Sequence, residues 1–188
     1  MRRGGRLEPS HGMFRGVATD RIVEFRVQGI RSLEDVRLPV RDGLTVLIGE
    51  NGTGKSSLLE AVELLHKPLF HPNFLQAFND EHGGLQAVLR QGASSIAVGL
   101  RLEGDGGAVE YGFRLAKRGL FAVIDAEWLR VQVPNGTYRD IIHREGAELR
   151  LLREQTGEVL LEPAAGRLFL GSIAPPAPLP LSASTTAT

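Results

Sequence analysis

Along the chain the spacing of hydrophobic and polar positions changes in a definite order. Val23, Phe25 and Val27 alternate with Glu24 and Arg26, the period-two pattern of a half-buried strand. After a turn at Gly29 to Ser32, Leu33, Val36 and Leu38 predict a second strand, and Pro39 puts it at a sheet edge. Leu44-Thr-Val-Leu-Ile48 is a nearly continuous apolar run rich in β-branched residues, as expected of a strand buried on both faces. From Ser56 the period becomes helical. Leu58, Leu59, Val62 and Leu65 fall on one face, Glu60 and Glu63 on a solvated one, and Pro68 stops the helix near Lys67. Residues 66–91 read as loops with a short helix around Leu85 to Leu89. The second half is strands: 96–102 and 109–115 form a hairpin across Glu103 to Gly107, and Phe121 to Val133 returns as Tyr138 to His143 through Pro134-Asn-Gly136.

One motif lies between the apolar run and the helix. Gly49-Glu50-Asn51-Gly52-Thr53-Gly54-Lys55-Ser56 fits G-x-x-x-x-G-K-[ST], with a strand before it and an amphipathic helix after it, as its mechanism requires. The glycines let successive backbone N–H groups converge on a polyphosphate, and the helix N-terminus adds partial positive charge. In that reading Lys55 reaches the β- and γ-phosphates, Ser56 ligates Mg²⁺ and Ser57 donates to the α-phosphate. ATP with Mg²⁺ is the expected ligand.

The flanking residues resemble a known family. Gly29-Ile-Arg-Ser-Leu33, Asn51-Gly-Thr-Gly-Lys-Ser56 and Leu58-Leu-Glu-Ala-Val62 resemble the start of RecF/SMC-type ABC ATPase heads. They come nearest to the predicted AAA-family ATPases that include the OLD-type nucleases. The resemblance covers roughly residues 20–67 and implies an α/β P-loop NTPase fold: lobe I of an ABC-type head, with an antiparallel β-subdomain, incomplete relative to a full head. It places Arg31 where members carry a basic residue near nucleotide or DNA. It also implies head-to-head dimerisation around ATP or a partner chain supplying the signature motif, and DNA or a nuclease module as a partner in repair or phage defence.

Hydrolysis in the family also needs a Walker B strand and a signature motif. No LSGGQ-like segment occurs in residues 1–188. Phe121-Ala-Val-Ile-Asp125-Ala-Glu127 imitates Walker B, with Asp125 as a Mg²⁺ ligand and Glu127 polarising water, but it lies among antiparallel strands, where surface acids at a sheet edge are the favoured reading. Gln86 and Gln91 are Q-loop candidates that no spacing selects. His66, His71, His82 and His143 lack metal-ligand spacing, and Tyr111 and Trp128 read as sheet packing. The expected product is the N-terminal lobe of a longer ATPase. The alternatives are a non-catalytic nucleotide-binding or regulatory module and a self-contained small P-loop phosphotransferase.

Composition narrows this little. The 188 residues are 42% hydrophobic and 23% charged, enough for one core. Lys+Arg 22 balance Asp+Glu 22, so the bulk charge gives no polyanion-binding argument. The absence of cysteine excludes disulfides and suits a cytoplasmic location, and no apolar run approaches the ~20 residues of a membrane span. The expected organisation is a basic arm at 1–19, the lobe at 20–173 and a Pro/Ala/Ser/Thr-rich tail at 174–188. Met1 and Met13 are both candidate starts.

Overall fold

The computed structural model describes residues 21–67, 71, 73–119, 121–153, 157–163 and 166–170. The expected arm, the tail and Pro68 lie outside them. β1 (Arg21–Ile30) and β2 (Leu33–Pro39) form the first hairpin, followed by α1 (Lys55–His66), α2 (Phe74–His82) and α3 (Leu85–Val88). A meander then runs through β3 (Ser95–Gly104), β4 (Gly107–Arg118), β5 (Phe121–Gln132), β6 (Tyr138–Glu145), β7 (Glu148–Arg153) and β8 (Gly157–Leu161). The eight strands make one sheet in the order β2-β1-β3-β4-β5-β6-β7-β8, antiparallel at every pairing. Pro39 ends the edge strand β2, where its missing N–H costs no ladder bond.

The core lies between the helices and one face of the sheet. Leu58, Ala61, Leu64 and Leu65 of α1 and Phe74 and Phe78 of α2 pack with Val27, Val98, Phe113 and Leu115. Phe74 meets Phe113 edge-on at 5.0 Å between centroids. On the opposite face the row of directly paired residues runs Gly99, Gly112, Trp128, His143. The indole of Trp128 lies in the trough left by the two glycines: a Cβ on Gly112 would stand 2.4 Å from its Cζ2.

Several expectations change. Residues 44–48 form no strand: Leu44 is 88% exposed, Val46 62% and Ile48 92%, and only Leu47 packs on the core. A strand buried on both faces needs neighbours, and the described residues offer none beside this segment, because β1 is already flanked by β2 and β3. The buried face of α1 is rotated from the expected one. Ser57, Leu58, Ala61, Leu64 and Leu65 point inward, while Leu59 is exposed. α2 replaces an expected loop; its signals are Asn73, whose side chain accepts from the Gln76 N–H at 3.3 Å, and Gly83 at φ 71. β7 and β8 extend the sheet beyond the predicted strands.

Gly112→Ala should cost about 1–3 kcal/mol, the usual price of overpacking. Gly106→Ala, where a Cβ meets nothing within 4 Å, should be near neutral. Urea unfolding of both variants checks the trough, and equal effects would refute it.

Candidate nucleotide site

The residues after β2 have little regular structure until α1 begins at Lys55. Within the loop, Gly52 (φ 84) and Gly54 (φ 98) adopt left-handed conformations that side chains resist. The Glu50 carbonyl accepts from the Thr53 N–H at 3.4 Å and from Thr53 Oγ1 at 2.9 Å, closing a tight turn. Lys55 Nζ donates to the Gly49 and Glu50 carbonyls at 2.8 and 2.6 Å, folding the ammonium across the mouth of the loop. α1 starts with no side-chain cap on Gly54, so its first N–H groups and the positive end of its dipole face the loop. Ser56 is exposed in the first turn, whereas Ser57 is turned inward at 7% exposure. Chemically this suits a polyphosphate held by amides and an ammonium, with the Ser56 hydroxyl available to its counter-cation.

The loop rests on the β1–β2 turn. A Cβ on Gly54 would lie 2.5 Å from Leu33 Cδ2 and 2.9 Å from Ser32 Oγ, and at φ 98 a side chain would be strained, so glycine favours this approach. Arg31, at φ 47, donates its N–H to the Val88 carbonyl at 2.8 Å, and its Nη2 to Glu60 Oε1 at 3.1 Å. Its guanidinium therefore lies on α1 rather than on the loop. Glu60, expected on a solvated helix face, is half enclosed and bonded instead.

Residues 21–104 match the model of a family described as AAA ATPase domain. The DNA replication and repair protein RecF of Anaeromyxobacter dehalogenans strain 2CP-C is 35% identical over 111 residues, which are 58% of this chain and 27% of that protein. RecF of Marinomonas sp. strain MWYL1 is 32% identical over 123 residues, 61% of this chain and 32% of its own length. Over these stretches the chain is similar to the AAA ATPase domain and to the RecF proteins. It spans about a third or less of the curated relatives it matches. A solved chain from work on ATP-driven dimerization and DNA stimulated activation of SMC ATPases aligns at TM-score 0.43 and 21% identity, covering 63% of this chain and 71% of that one. The observed architecture is an eight-stranded antiparallel sheet with three helices packed on one face, the glycine-rich loop leading into the first of them.

The two acids of the Walker B-like segment, Asp125 and Glu127, stand away from this loop. β5 is three strand spacings from β1, about 14 Å at ~4.8 Å per strand. Asp125 is half-buried and pairs with Arg114 at 2.7 Å and Arg118 at 3.9 Å. Glu127 is no surface acid, having no exposed area. Its Oε2 accepts from the Phe169 N–H at 2.7 Å and its Oε1 from the Leu170 N–H at 2.9 Å, with Tyr111 Oη at 3.4 Å. Arg144 donates to the carbonyls of Gly146 and Arg167 beside it. Glu127 is thus an anchor for residues 166–170, and neither acid meets the loop. Gln86, on α3, accepts from Lys117 Nζ of β4 at 3.1 Å. Among the described residues no cluster of three or more His, Asp or Glu is placed to hold a metal ion.

Burial raises the Glu127 carboxyl above its ordinary range, against the two backbone N–H bonds and the Arg144 charge, which favour the anion. A raised folded-state value means that stability falls as pH rises from the ordinary carboxylate range through the folded one. The stability difference between wild type and Glu127→Gln, followed by urea unfolding, should therefore decrease with pH across that window. A difference that grows with pH would refute it. Glu127→Ala should cost about 1–3 kcal/mol by leaving two N–H groups without acceptors.

Proposed function

We propose that this chain binds ATP as its Mg²⁺ complex through residues 49–57. The observation that carries the reading is the loop itself: two left-handed glycines, an uncapped helix start and the Lys55 ammonium converge on one small volume. Gly49, Glu50, Asn51, Gly52, Thr53 and Gly54 supply the cradle, Lys55 the charge and Ser56 the cation ligand. Ser57 contributes its backbone N–H rather than its inward hydroxyl. ATP supplies the transferable phosphoryl group; the residues described here bind and orient it.

In this reading residues 20–173 are the nucleotide-binding lobe of a larger ATPase head, flanked by the arm at 1–19 and the tail at 174–188. The groups that split ATP come from a further segment or from a partner chain in a head-to-head dimer. The exposed Leu44, Val46 and Ile48 support this, because an apolar strip next to the phosphate loop is buried once neighbouring strands flank it. Leu59 on α1 is a further exposed apolar side chain. Action on DNA, as the names of the RecF relatives state for those proteins, belongs to the same reading. A role as a non-catalytic module is the outcome if ATP is bound but never turned over by the assembled protein.

Calorimetric titration with Mg·ATP should show binding that Lys55→Ala weakens by about a hundredfold, roughly 2.7 kcal/mol. Ser56→Ala should weaken it in Mg²⁺ and little in its absence. Unchanged affinity in Lys55→Ala would overturn the site. For the strip, Val46→Lys with Ile48→Lys should leave stability within about 0.5 kcal/mol, since both side chains already face solvent, while lowering the fluorescence of a bound hydrophobic dye.

A further inference from the structure

Glu60 lies in the second turn of α1 and receives donors from two other elements at one oxygen. Oε1 accepts from Arg31 Nη2 at 3.1 Å, from the β1–β2 turn, and from His82 Nδ1 at 2.9 Å, from the end of α2. The hydrogen on His82 is fixed by its other neighbour. Lys67 Nζ stands 3.0 Å from His82 Nε2, and an ammonium only donates, so Nε2 accepts and Nδ1 carries the hydrogen given to Glu60. Lys67, itself buried, also pairs with Glu81 of α2 and lies 3.9 Å from Glu63. A continuous chain of polar contacts therefore runs from α2 through Glu60 to Arg31, and Arg31 begins the turn on which Gly54 rests.

We propose that Glu60 is a positioning residue for the phosphate loop: by holding Arg31 it keeps Ser32 and Leu33 seated against Gly54 and so fixes the direction of the loop amides. This rests on reading residues 49–57 as the phosphate site. The Glu60 carboxylate is only 16% exposed, while the Arg31 side chain is 51% exposed. An ion pair with so exposed a partner adds little to global stability, so its effect is on placement. Arg31 is strained at φ 47, and Glu60 together with the Val88 carbonyl holds it there. His82 keeps the Glu60 carboxylate aimed, joining α2 to the same arrangement.

The test uses the full chain with two readouts. Glu60→Ala and Arg31→Ala should each weaken Mg·ATP binding by about tenfold, and the double variant no more than either, because both break one contact. Glu60→Gln, whose amide oxygen still accepts, should recover most of the loss. Without nucleotide, hydrogen exchange at the amides of residues 50–57 should speed up in Glu60→Ala and Arg31→Ala while the midpoint of thermal unfolding scarcely moves. Tighter ATP binding in Glu60→Ala would overturn the proposal, since Arg31 would then be a phosphate ligand that Glu60 withholds. Unchanged exchange and affinity would overturn it as well. If wild type binds no ATP yet the exchange effect appears, the positioning role stands and the phosphate-site reading fails. Should Glu60→Ala not fold, Glu60→Gln and Arg31→Ala carry the same comparison.

Discussion

The position of the glycine-rich loop depends on the close packing at the β1–β2 turn. There the backbone must leave one strand, start another and still offer a seat for Gly54. Gly29, at φ 72, makes this possible: a Cβ on it would stand 2.3 Å from the Ser95 carbonyl oxygen of β3. Its own carbonyl accepts from the Arg90 N–H, and Ile30 bridges Leu89 with no exposed area, so β1, α3 and the turn are fastened together. Leu33 then bears on Gly54, and α1 leaves in a direction its buried leucines hold against β1 and β3. Close packing makes this junction stiff, so small changes around it are felt at the loop amides.

A second constraint governs the far part of the chain. Glu127 and Arg144 lie among apolar neighbours, and each is satisfied by backbone rather than by the other alone. Burial lowers the Arg144 guanidinium and raises the Tyr111 hydroxyl well above its ordinary range, while the Glu127 charge works to raise both. Such groups are tolerated inside only when their hydrogen bonds are made. Residues 166–170 make those bonds, with Leu168 closing the core beside them. The polar interior thus ties the end of the described chain back to β5, some forty residues earlier.

Much of this was legible in the residues. The β1–β2 hairpin with Pro39 at the edge, the 96–115 hairpin, the returning strand after Pro134-Asn-Gly136 and the glycine-rich loop followed by its helix all carry strong local signals of period and turn chemistry. Those that failed did so for tertiary reasons. α2 buries only Phe74 and Phe78, too few to print a helical period. Residues 44–48 have the composition of a doubly buried strand, yet Leu44, Val46 and Ile48 stand exposed, because composition reports what a segment needs and not whether its neighbours are present. Glu60 and Glu127 read as surface groups and His82 as a histidine without metal-ligand spacing, since a carboxylate or imidazole carries no mark of the partners that will surround it.

By itself the sequence determined the loop chemistry: glycines where the backbone must turn left-handed, a lysine and a serine at the helix start, and an apolar run before them. These are local requirements, met between Leu44 and Ser56, so spacing alone expresses them. Tertiary structure decided which polar groups work and where. It turned Arg31 onto Glu60, gave Asp125 to Arg114, sealed Glu127 beneath residues 169 and 170, and left Leu44, Val46 and Ile48 uncovered. Each outcome is set by contacts between residues far apart in the chain, and a contact of that kind exists only once the sheet and helices have been brought together.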